Sequence, residues 1–191
     1  MKQNFYNNII GKVLIKKYQL GGIKYMDAIL NRKSIRKYKD KKLSNEIVDG
    51  LLRAAMQAPS AGNEQPWEFI ILRNKEIMTK ITEFHPYSKM LLNTDVAIVV
   101  CGDKSKEMFN GYWVQDCSAA AENILLAAEE KGLGAVWLGV YPEEDRVEKL
   151  KKLLNLPDSV IPLSIIPVGY PDEQRQATSR FNKDRIHYDI W

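Results

Sequence analysis

Six consecutive apolar residues, Val96 to Cys101, constrain the fold of this chain more than any other part of its sequence. A strand that alternates polar and apolar residues can face water on one side, but a strand that is apolar throughout must be covered on both faces. The run is far too short to cross a bilayer, which takes about 20 apolar residues. The segment Asp95 to Cys101 is therefore predicted to be a buried strand in a sheet with a layer of structure on each side.

Four other segments are predicted to be extended. Trp67 to Leu72 is rich in aromatic and β-branched residues, and Ala135 to Val140 reads as a short buried strand. Ile161 to Val168 carries two prolines, which lack the N–H group of a central strand, so we expect it at an edge or in irregular pairing. The tail, Ile186 to Ile190, alternates apolar and polar residues like a half-buried strand.

Helices are predicted between these strands. Asp27 to Asn31 suits a short helix, and Ser44 suits the N-cap of a helix that ends near Ala58, before a proline. Val114 to Ala128 carries apolar residues at the spacing of one helix face, and Pro142 opens a further helix. Because no repeat and no linker separates these elements, the sequence predicts a single domain of mixed α and β structure.

The first 25 residues need a separate interpretation. Met1 to Tyr25 is rich in lysine and asparagine, and its apolar residues have the spacing of an amphipathic helix. The segment is a helical arm over a partner chain, or it precedes a natural start at Met26; both interpretations stay open. We therefore expect an N-terminal extension over residues 1–25 and one domain over residues 26–191.

Composition excludes several classes of protein. Apolar residues make up 45% of the 191 residues and charged residues 27%, as in globular proteins. The net charge of +4 is too small to indicate a nucleic-acid binder by itself. With two cysteines and no zinc-ligand spacing, neither a disulfide scaffold nor a metal site is expected.

The segment Arg32 to Arg36 places three cations and one hydroxyl within five residues, and we call it the basic segment. Guanidinium groups bind phosphate through two parallel hydrogen bonds, and Ser34 can add a neutral one. A basic run is more often a solvated surface, so the segment alone does not decide between phosphate binding and solubility.

The loop from Pro59 to Pro66, which we call the carboxamide loop, contains Asn63 and Gln65 among turn-forming residues. Each carboxamide both donates and accepts hydrogen bonds. The pyrimidine edge of a flavin presents the matching mixture of carbonyl oxygens and an N–H group. The alternative is an ordinary turn whose amides cap its own backbone.

Four segments in order make the sequence similar to the FMN-dependent nitroreductase family. They are the basic segment, the stretch from Ala58 to Trp67, the stretch Gly132-Leu133-Gly134-Ala135-Val136-Trp137-Leu138-Gly139, and Arg180 before the terminal strand. The resemblance runs from about Met26 to the C-terminus.

The resemblance implies an α+β fold with a central, mostly antiparallel sheet flanked by helices. It further implies a homodimer that exchanges C-terminal strands and binds FMN at its interface. The activity expected is that of a cytoplasmic oxidoreductase that transfers hydride from NAD(P)H through flavin N5 to an electron-poor small molecule, such as a nitroaromatic or quinone, in a ping-pong sequence. No nucleic-acid or membrane partner is expected.

Site residues follow from the resemblance by position. Arg32 and Ser34 resemble the phosphate and ribityl contacts, and Arg36 resembles the cation near N1 and O2, which stabilises the negative charge of a reduced ring. Asn63 resembles the amide that reads the pyrimidine edge. The expected FMN-binding set also includes Lys33, Pro59, Ser60, Gln65, the strand end Trp137, Leu138 and Gly139 near N5 and O4, and the late Arg180. Thr178 stands where the family often has a further basic residue, which would make phosphate binding depend more on Arg180.

No side chain is expected to act as a catalytic nucleophile or base, because the flavin itself carries the hydride. His85 and His187 are expected to be structural, since no carboxylate pattern marks either as a base. Cys101 and Cys117 are expected to be inert packing residues.

Three other functions remain open at this stage. Another flavin reaction, such as dehalogenation or ring oxidation, would use the same residues. A non-enzymatic phosphate or nucleic-acid binder would use the basic segment, although the interspersed acids speak against it. A purely structural dimer would use the alanine-rich helix predicted over Val114 to Ala128 as its interface.

Overall fold

The apolar run lies in the second strand of a five-stranded antiparallel sheet. The computed structural model describes residues 27–191, so the two interpretations of residues 1–25 lie outside the described residues. The strands are β1 (Trp67–Leu72), β2 (Val96–Asp103), β3 (Gly134–Ala135), β4 (Leu138–Gly139) and β5 (Val160–Gly169). They follow the order β1-β2-β5-β3, and β4 also pairs with β5. The antiparallel sheet that the resemblance implied is confirmed.

Helices cover both faces of this sheet, as the apolar β2 requires. The helices are α1 (Asp27–Asn31), α2 (Asn45–Ala55), α3 (Lys75–Phe84), α4 (Trp113–Glu130) and α5 (Glu144–Leu154). One core packs α2 and α4 against the sheet around Leu51 and Ile124, and the other packs α3 and α5 around Ile81 and Leu150. All four of these side chains are fully buried.

Local signals account for where two helices begin. Ser44 caps α2 as predicted, because its hydroxyl accepts the N–H of Ile47 at 3.4 Å. The sequence reasoning missed α3, although its signal is present. Asn74 accepts the N–H groups of Glu76 and Ile77, and buried apolar residues follow at helical spacing.

The segment Ile161 to Val168 is extended and irregularly paired, as one of the two expectations had it, but the other expectation, an edge position, was wrong. It forms β5, which is a central strand paired with β2 along its whole length. Pro162 is tolerated because it lies at an irregularity of that pairing, next to the register shift between Val100 and Cys101. Pro167 lies between the short β3 and β4 ladders, and its carbonyl accepts the Tyr38 hydroxyl at 3.2 Å on that side, so no strand there needs the N–H that Pro167 lacks.

Two other predicted strands also differ from the structure. The segment Ala135 to Val140 is split into β3 and β4, because Val136 and Trp137 leave the ladder between them. Ile186 to Ile190 forms no strand in the single chain, and residues 176–191 are exposed throughout. Large apolar side chains, including Tyr188 and Trp191, are more than four-fifths exposed there.

Among residues 27–191, no helix is both long and apolar enough to cross a membrane. In the same part of the chain, no three histidine, cysteine, aspartate or glutamate side chains are grouped as metal ligands.

Candidate functional site

The basic segment lies against β3, at the edge of the sheet opposite β1. Ser34 forms a parallel bridge with Ala135, and the Ile35 N–H group donates to the Ala135 carbonyl at 2.9 Å. Ile35 is buried and packs so close to Gly134 that a Cβ atom there would lie 2.5 Å from its Cγ2. This contact fixes the backbone of the segment on the sheet.

The cations of the basic segment differ in their surroundings. Arg32 pairs with Glu122 of α4 at 3.4 Å, and Lys33 pairs with Glu129 at 2.7 Å. The Arg36 side chain is exposed and makes no ion pair or hydrogen bond within residues 27–191. Because the bridge between Ser34 and Ala135 is parallel, the chain runs on from Ser34 to Arg36 in the same direction as from Ala135 to Trp137. The Arg36 guanidinium remains available to bind an anion.

A groove of about 480 Å³ lies on the Lys33 side of the segment. Its lining includes two carboxylates, Glu129 and Glu173, each already paired with a cation of the same groove. Because Lys33 and Arg175, the two cations among its lining residues, are paired with these acids, the groove offers no free cation to the phosphate of a cofactor. Side chains alternate along extended backbone, so Ser34 and Arg36 are expected to point away from it.

Glu173 holds the backbone of the basic segment in place, and sequence reasoning missed it. Its Oε1 accepts the N–H of Arg36 at 2.5 Å and that of Lys37 at 3.1 Å, while Oε2 accepts Nε of Arg175 at 2.9 Å. These contacts, the Arg36 N–H first, lower the pKa of the Glu173 carboxyl. No local pattern marks this role, because the bond to Arg36 joins residues 137 positions apart.

The carboxamide loop presents both of its amides to solvent. A tight turn over Ala61–Asn63 places Gly62, Asn63 and Gln65 at positive φ, between 47° and 61°. The Gln65 amide donates to the Asn63 oxygen at 2.8 Å, and the Gln65 backbone N–H donates to the Ser60 hydroxyl at 3.1 Å. Within residues 27–191, the Asn63 amide N–H groups and the Gln65 side-chain oxygen have no partner. The loop therefore offers donors and an acceptor side by side. Pro59 is also exposed there.

The strand end Trp137 to Gly139 borders open space. Leu138 is buried, whereas Trp137 and Gly139 are half-buried. The Gly139 carbonyl accepts Nε2 of His85 at 2.9 Å and Nη1 of Arg146 at 3.1 Å. A Cβ atom built on Gly139 would meet nothing within 4 Å. This strand end is thus fixed on its carbonyl side and unfilled on its Cα side.

His85 takes the structural role expected of it. The ring is almost completely buried, and burial lowers its pKa, with the nearby Arg146 charge acting in the same direction. Because a carbonyl only accepts, the neutral ring must carry its proton on Nε2. Burial likewise raises the pKa of the Cys101 thiol to about 12 and raises that of Cys117, so neither is a thiolate nucleophile.

The single chain does not bring all the predicted site residues together. The basic segment and the Trp137–Gly139 strand end share one edge of the sheet, and the carboxamide loop precedes β1 at the other edge. Three strand spacings, about 14 Å, separate β1 from β3 and β4, and the basic segment lies one spacing further out. Arg180 lies in the exposed C-terminal segment, and its side chain contacts no acid within residues 27–191.

Comparison with known proteins gives a consistent picture. The family model for the nitroreductase family matches residues 29–170. A Methanothermobacter thermautotrophicus protein, with the provisional name NADH dehydrogenase/NAD(P)H nitroreductase, is 53% identical over 166 residues, which cover 87% of each chain.

Two solved structures extend the comparison to the fold. An FMN-dependent nitroreductase from Clostridium difficile has a TM-score of 0.80 and 31% identity, over 87% of this chain and 99% of that one. A Desulfovibrio desulfuricans protein, provisionally called a nitroreductase and solved in complex with FMN, has a TM-score of 0.77 and 28% identity, over 88% and 98% of the two chains.

Proposed function

The chain belongs to the nitroreductase family, a family of oxidoreductases, and from this premise we propose that it is an FMN-dependent, NAD(P)H-oxidising enzyme. Its acceptor is an electron-poor small molecule such as a nitroaromatic or a quinone, reduced after the nicotinamide product has left. The use of a reduced nicotinamide suits a cytoplasmic enzyme.

The residues fit a flavin on their own chemistry. The free Arg36 guanidinium, on the segment that runs beside the open Gly139 strand end, carries the proposal. A cation suits an electron-rich ring edge, and the open space beside the Gly139 Cα suits the close approach of a planar ring. The exposed Asn63 and Gln65 amides match the alternating acceptors and donor of a pyrimidine edge.

Each part of the chain has a separate task in this proposal. When bound, FMN would supply the hydride chemistry at N5. Arg32 and Ser34 would hold the phosphate and ribityl chain, with Lys33 beside them, and Arg36 would stabilise negative charge on the ring. Asn63 would bind the pyrimidine edge, with Pro59, Ser60 and Gln65 supporting it. Trp137, Leu138 and the anchored Gly139 would form the wall against which the ring is positioned. None of these side chains needs to act as a nucleophile or as a general base.

We further propose that the complete site is built from two copies of the chain. The carboxamide loop and the basic segment lie at opposite sheet edges, which favours a site to which each copy contributes one of the two. The exposed apolar tail, with Tyr188 and Trp191, has the character of a segment that packs on a second copy. Exchange of this tail between copies would also bring Arg180 to the phosphate.

The visible absorption spectrum of the purified full chain tests the proposed function. We expect a yellow protein, or one that becomes yellow after incubation with FMN and desalting. Anaerobic addition of NADPH or NADH should bleach it, and a quinone or nitroaromatic should restore the colour. A chain that stays colourless with added FMN would contradict the proposal.

A further inference from the structure

Two carboxyl groups beneath the carboxamide loop each have one oxygen with a donor and one without. Glu64 Oε2 accepts the N–H groups of Met108 at 2.6 Å and Phe109 at 3.1 Å. Asp116, at the start of α4, accepts the Ala61 N–H through Oδ1 at 3.1 Å. The other oxygens, Glu64 Oε1 and Asp116 Oδ2, are buried without a partner in the part of the chain that the structure describes. Buried acceptors without a donor are rare in folded proteins and call for a physical explanation.

The two carboxyl groups are neighbours where the loop meets α4, since Asp116 holds the Ala61 N–H group only three positions before Glu64. Two ionised carboxylates offer each other acceptors only, so neither can satisfy the other without a proton. No salt bridge reaches either group within residues 27–191. A proton between them satisfies both orphaned oxygens at once, and nothing else described at this place does.

We propose that Glu64 and Asp116 share one proton, and that this shared proton fixes the carboxamide loop on the N-terminal end of α4 in the conformation that binds the flavin. Both residues are positioning residues and contact no substrate. The second half of this inference rests on the proposed function, whereas the shared proton itself does not.

The loop needs such a fixed support because its backbone is strained. Asn63 and Gln65 are not glycine, yet both have positive φ, a conformation that persists where the surroundings enforce it. The carboxyl pair restrains the loop at two points, through the Ala61 N–H and through the Glu64 side chain. Without the pair, the loop can relax, and the Asn63 and Gln65 amides are no longer held in the relative positions that suit one ring edge.

The surrounding charges set the direction of the pH dependence. Burial is the largest cause of the raised pKa of Asp116. The Ala61 N–H group lowers this pKa, whereas the neighbouring Glu64 and the negative charge of Glu107 raise it further. Cys117, the other titratable neighbour, stays neutral because burial raises its pKa. The folded chain thus holds this proton at pH values where the unfolded chain has lost it. The restraint is present at lower pH and is lost as pH rises through the raised pKa of Asp116.

Carbon-detected NMR of the side-chain carboxyl groups tests the shared proton in the flavin-free, full-length protein. We expect one aspartate carboxyl to titrate above the ordinary aspartate range, and this signal should be absent in Asp116→Asn. In Glu107→Gln, the matched control, the titration should remain but move to lower pH. An Asp116 carboxyl that titrates at or below the ordinary value would overturn the shared proton, whether or not the protein binds FMN.

The rate of FMN release as a function of pH tests the link to the loop. In the parent chain, release should accelerate severalfold as pH rises through the Asp116 titration, because the proton that restrains the loop is lost there. In Asp116→Asn, the amide donates permanently to Glu64, so release should vary little with pH. Glu64→Gln can donate to Asp116 in the same way and serves as a second variant if the first folds poorly. Parent-like pH dependence in a folded variant would overturn the link.

Discussion

In the proposed site, Arg36 is the residue on which the electronic properties of the flavin would depend most. Its neighbours in the basic segment are neutralised by acids of α4, whereas its own guanidinium has no acid partner within residues 27–191. Contacts with β3 and Glu173 hold the backbone on both sides of Arg36, so only its side chain must become ordered when negative charge develops nearby. Its role is therefore separable from simple retention of the cofactor.

Arg36→Ala should make the flavin reduction potential more negative and lower turnover by about 10- to 100-fold, because a preorganised charge is lost. FMN affinity should fall less, since Arg32 and Ser34 remain. Dye-coupled potentiometry and steady-state kinetics measure the two effects. Arg53→Ala, an exposed arginine in the last turn of α2, is the matched control and should change neither quantity. Equal potentials in Arg36→Ala and the parent would contradict the assignment.

Gly139 offers a test of where the ring lies. Gly139→Ala adds a methyl group into open space, so the unfolding free energy of the flavin-free chain should not fall. If the ring occupies that space, FMN affinity should fall by about tenfold or more, because overpacking costs roughly 1–3 kcal/mol. Denaturant unfolding measures the stability of the flavin-free chain, and fluorescence titration with FMN measures the affinity.

Gly134→Ala is the contrasting variant, because its Cβ would lie 2.5 Å from Ile35 Cγ2. It should lower the stability of the flavin-free chain itself. If Gly139→Ala bound FMN as the parent does, the ring would have to lie elsewhere.

At the level of elements, the link between the basic segment and the chain after β5 is carried by Glu173. Glu173→Ala should lower the free energy of unfolding by roughly 1–2 kcal/mol at neutral pH, since the N–H groups of Arg36 and Lys37 lose a charged acceptor. The pKa of Glu173 is lowered in the folded chain, so its stabilisation is present above the ordinary carboxyl pKa. It is lost as pH falls through the lowered value.

Urea unfolding over a range of acidic pH checks this prediction. The parent and Glu173→Ala should converge in stability as pH falls. Glu83→Ala, which removes an exposed acid of α3, should track the parent throughout. A difference between parent and Glu173→Ala that is constant at every pH would show that the charge of Glu173 does not matter.

Sequence patterns predicted those elements whose causes are local. The apolar run of β2, the Ser44 cap and the face of α4 follow from neighbouring residues alone. The central position of β5 could not be predicted, because Pro162 is tolerated where the distant β2 shifts register and Pro167 where the distant β3 and β4 ladders leave a gap.

The same distinction holds for the candidate site. Arg36, Asn63 and Gly139 stand in recognisable motifs, so the resemblance could indicate them. Glu173 stands in no motif, and Glu64 lies inside one without resembling a ligand. An acid acquires such a role only from backbone N–H groups that the fold brings to it, as with Glu64 and Met108, 44 positions apart.

On the scale of the whole molecule, the separation of the carboxamide loop from the basic segment predicts that each site takes residues from two copies. Arg36→Ala and Asn63→Ala chains should each be weakly active alone. When the two are unfolded together and refolded as a mixture, mixed dimers gain one site with both residues intact. Activity should then rise severalfold above that of either variant refolded alone.

The control for this experiment is a mixture of Arg36→Ala with Arg36→Lys, in which no parental site can form. Light scattering during chromatography establishes that the mixed species is a dimer. Mixed dimers no more active than their parents would show that each site lies within one chain.

The opposite placement of these two segments would also connect cofactor supply with the lifetime of the protein. A molecule that bridges two chains strengthens their association by the free energy with which it binds the pair. In a cell short of flavin, the chains would then separate more often, and the tail with Trp191 would be left uncovered for proteases. The amount of the protein in the cell would then follow the supply of flavin, without any change in the expression of its gene.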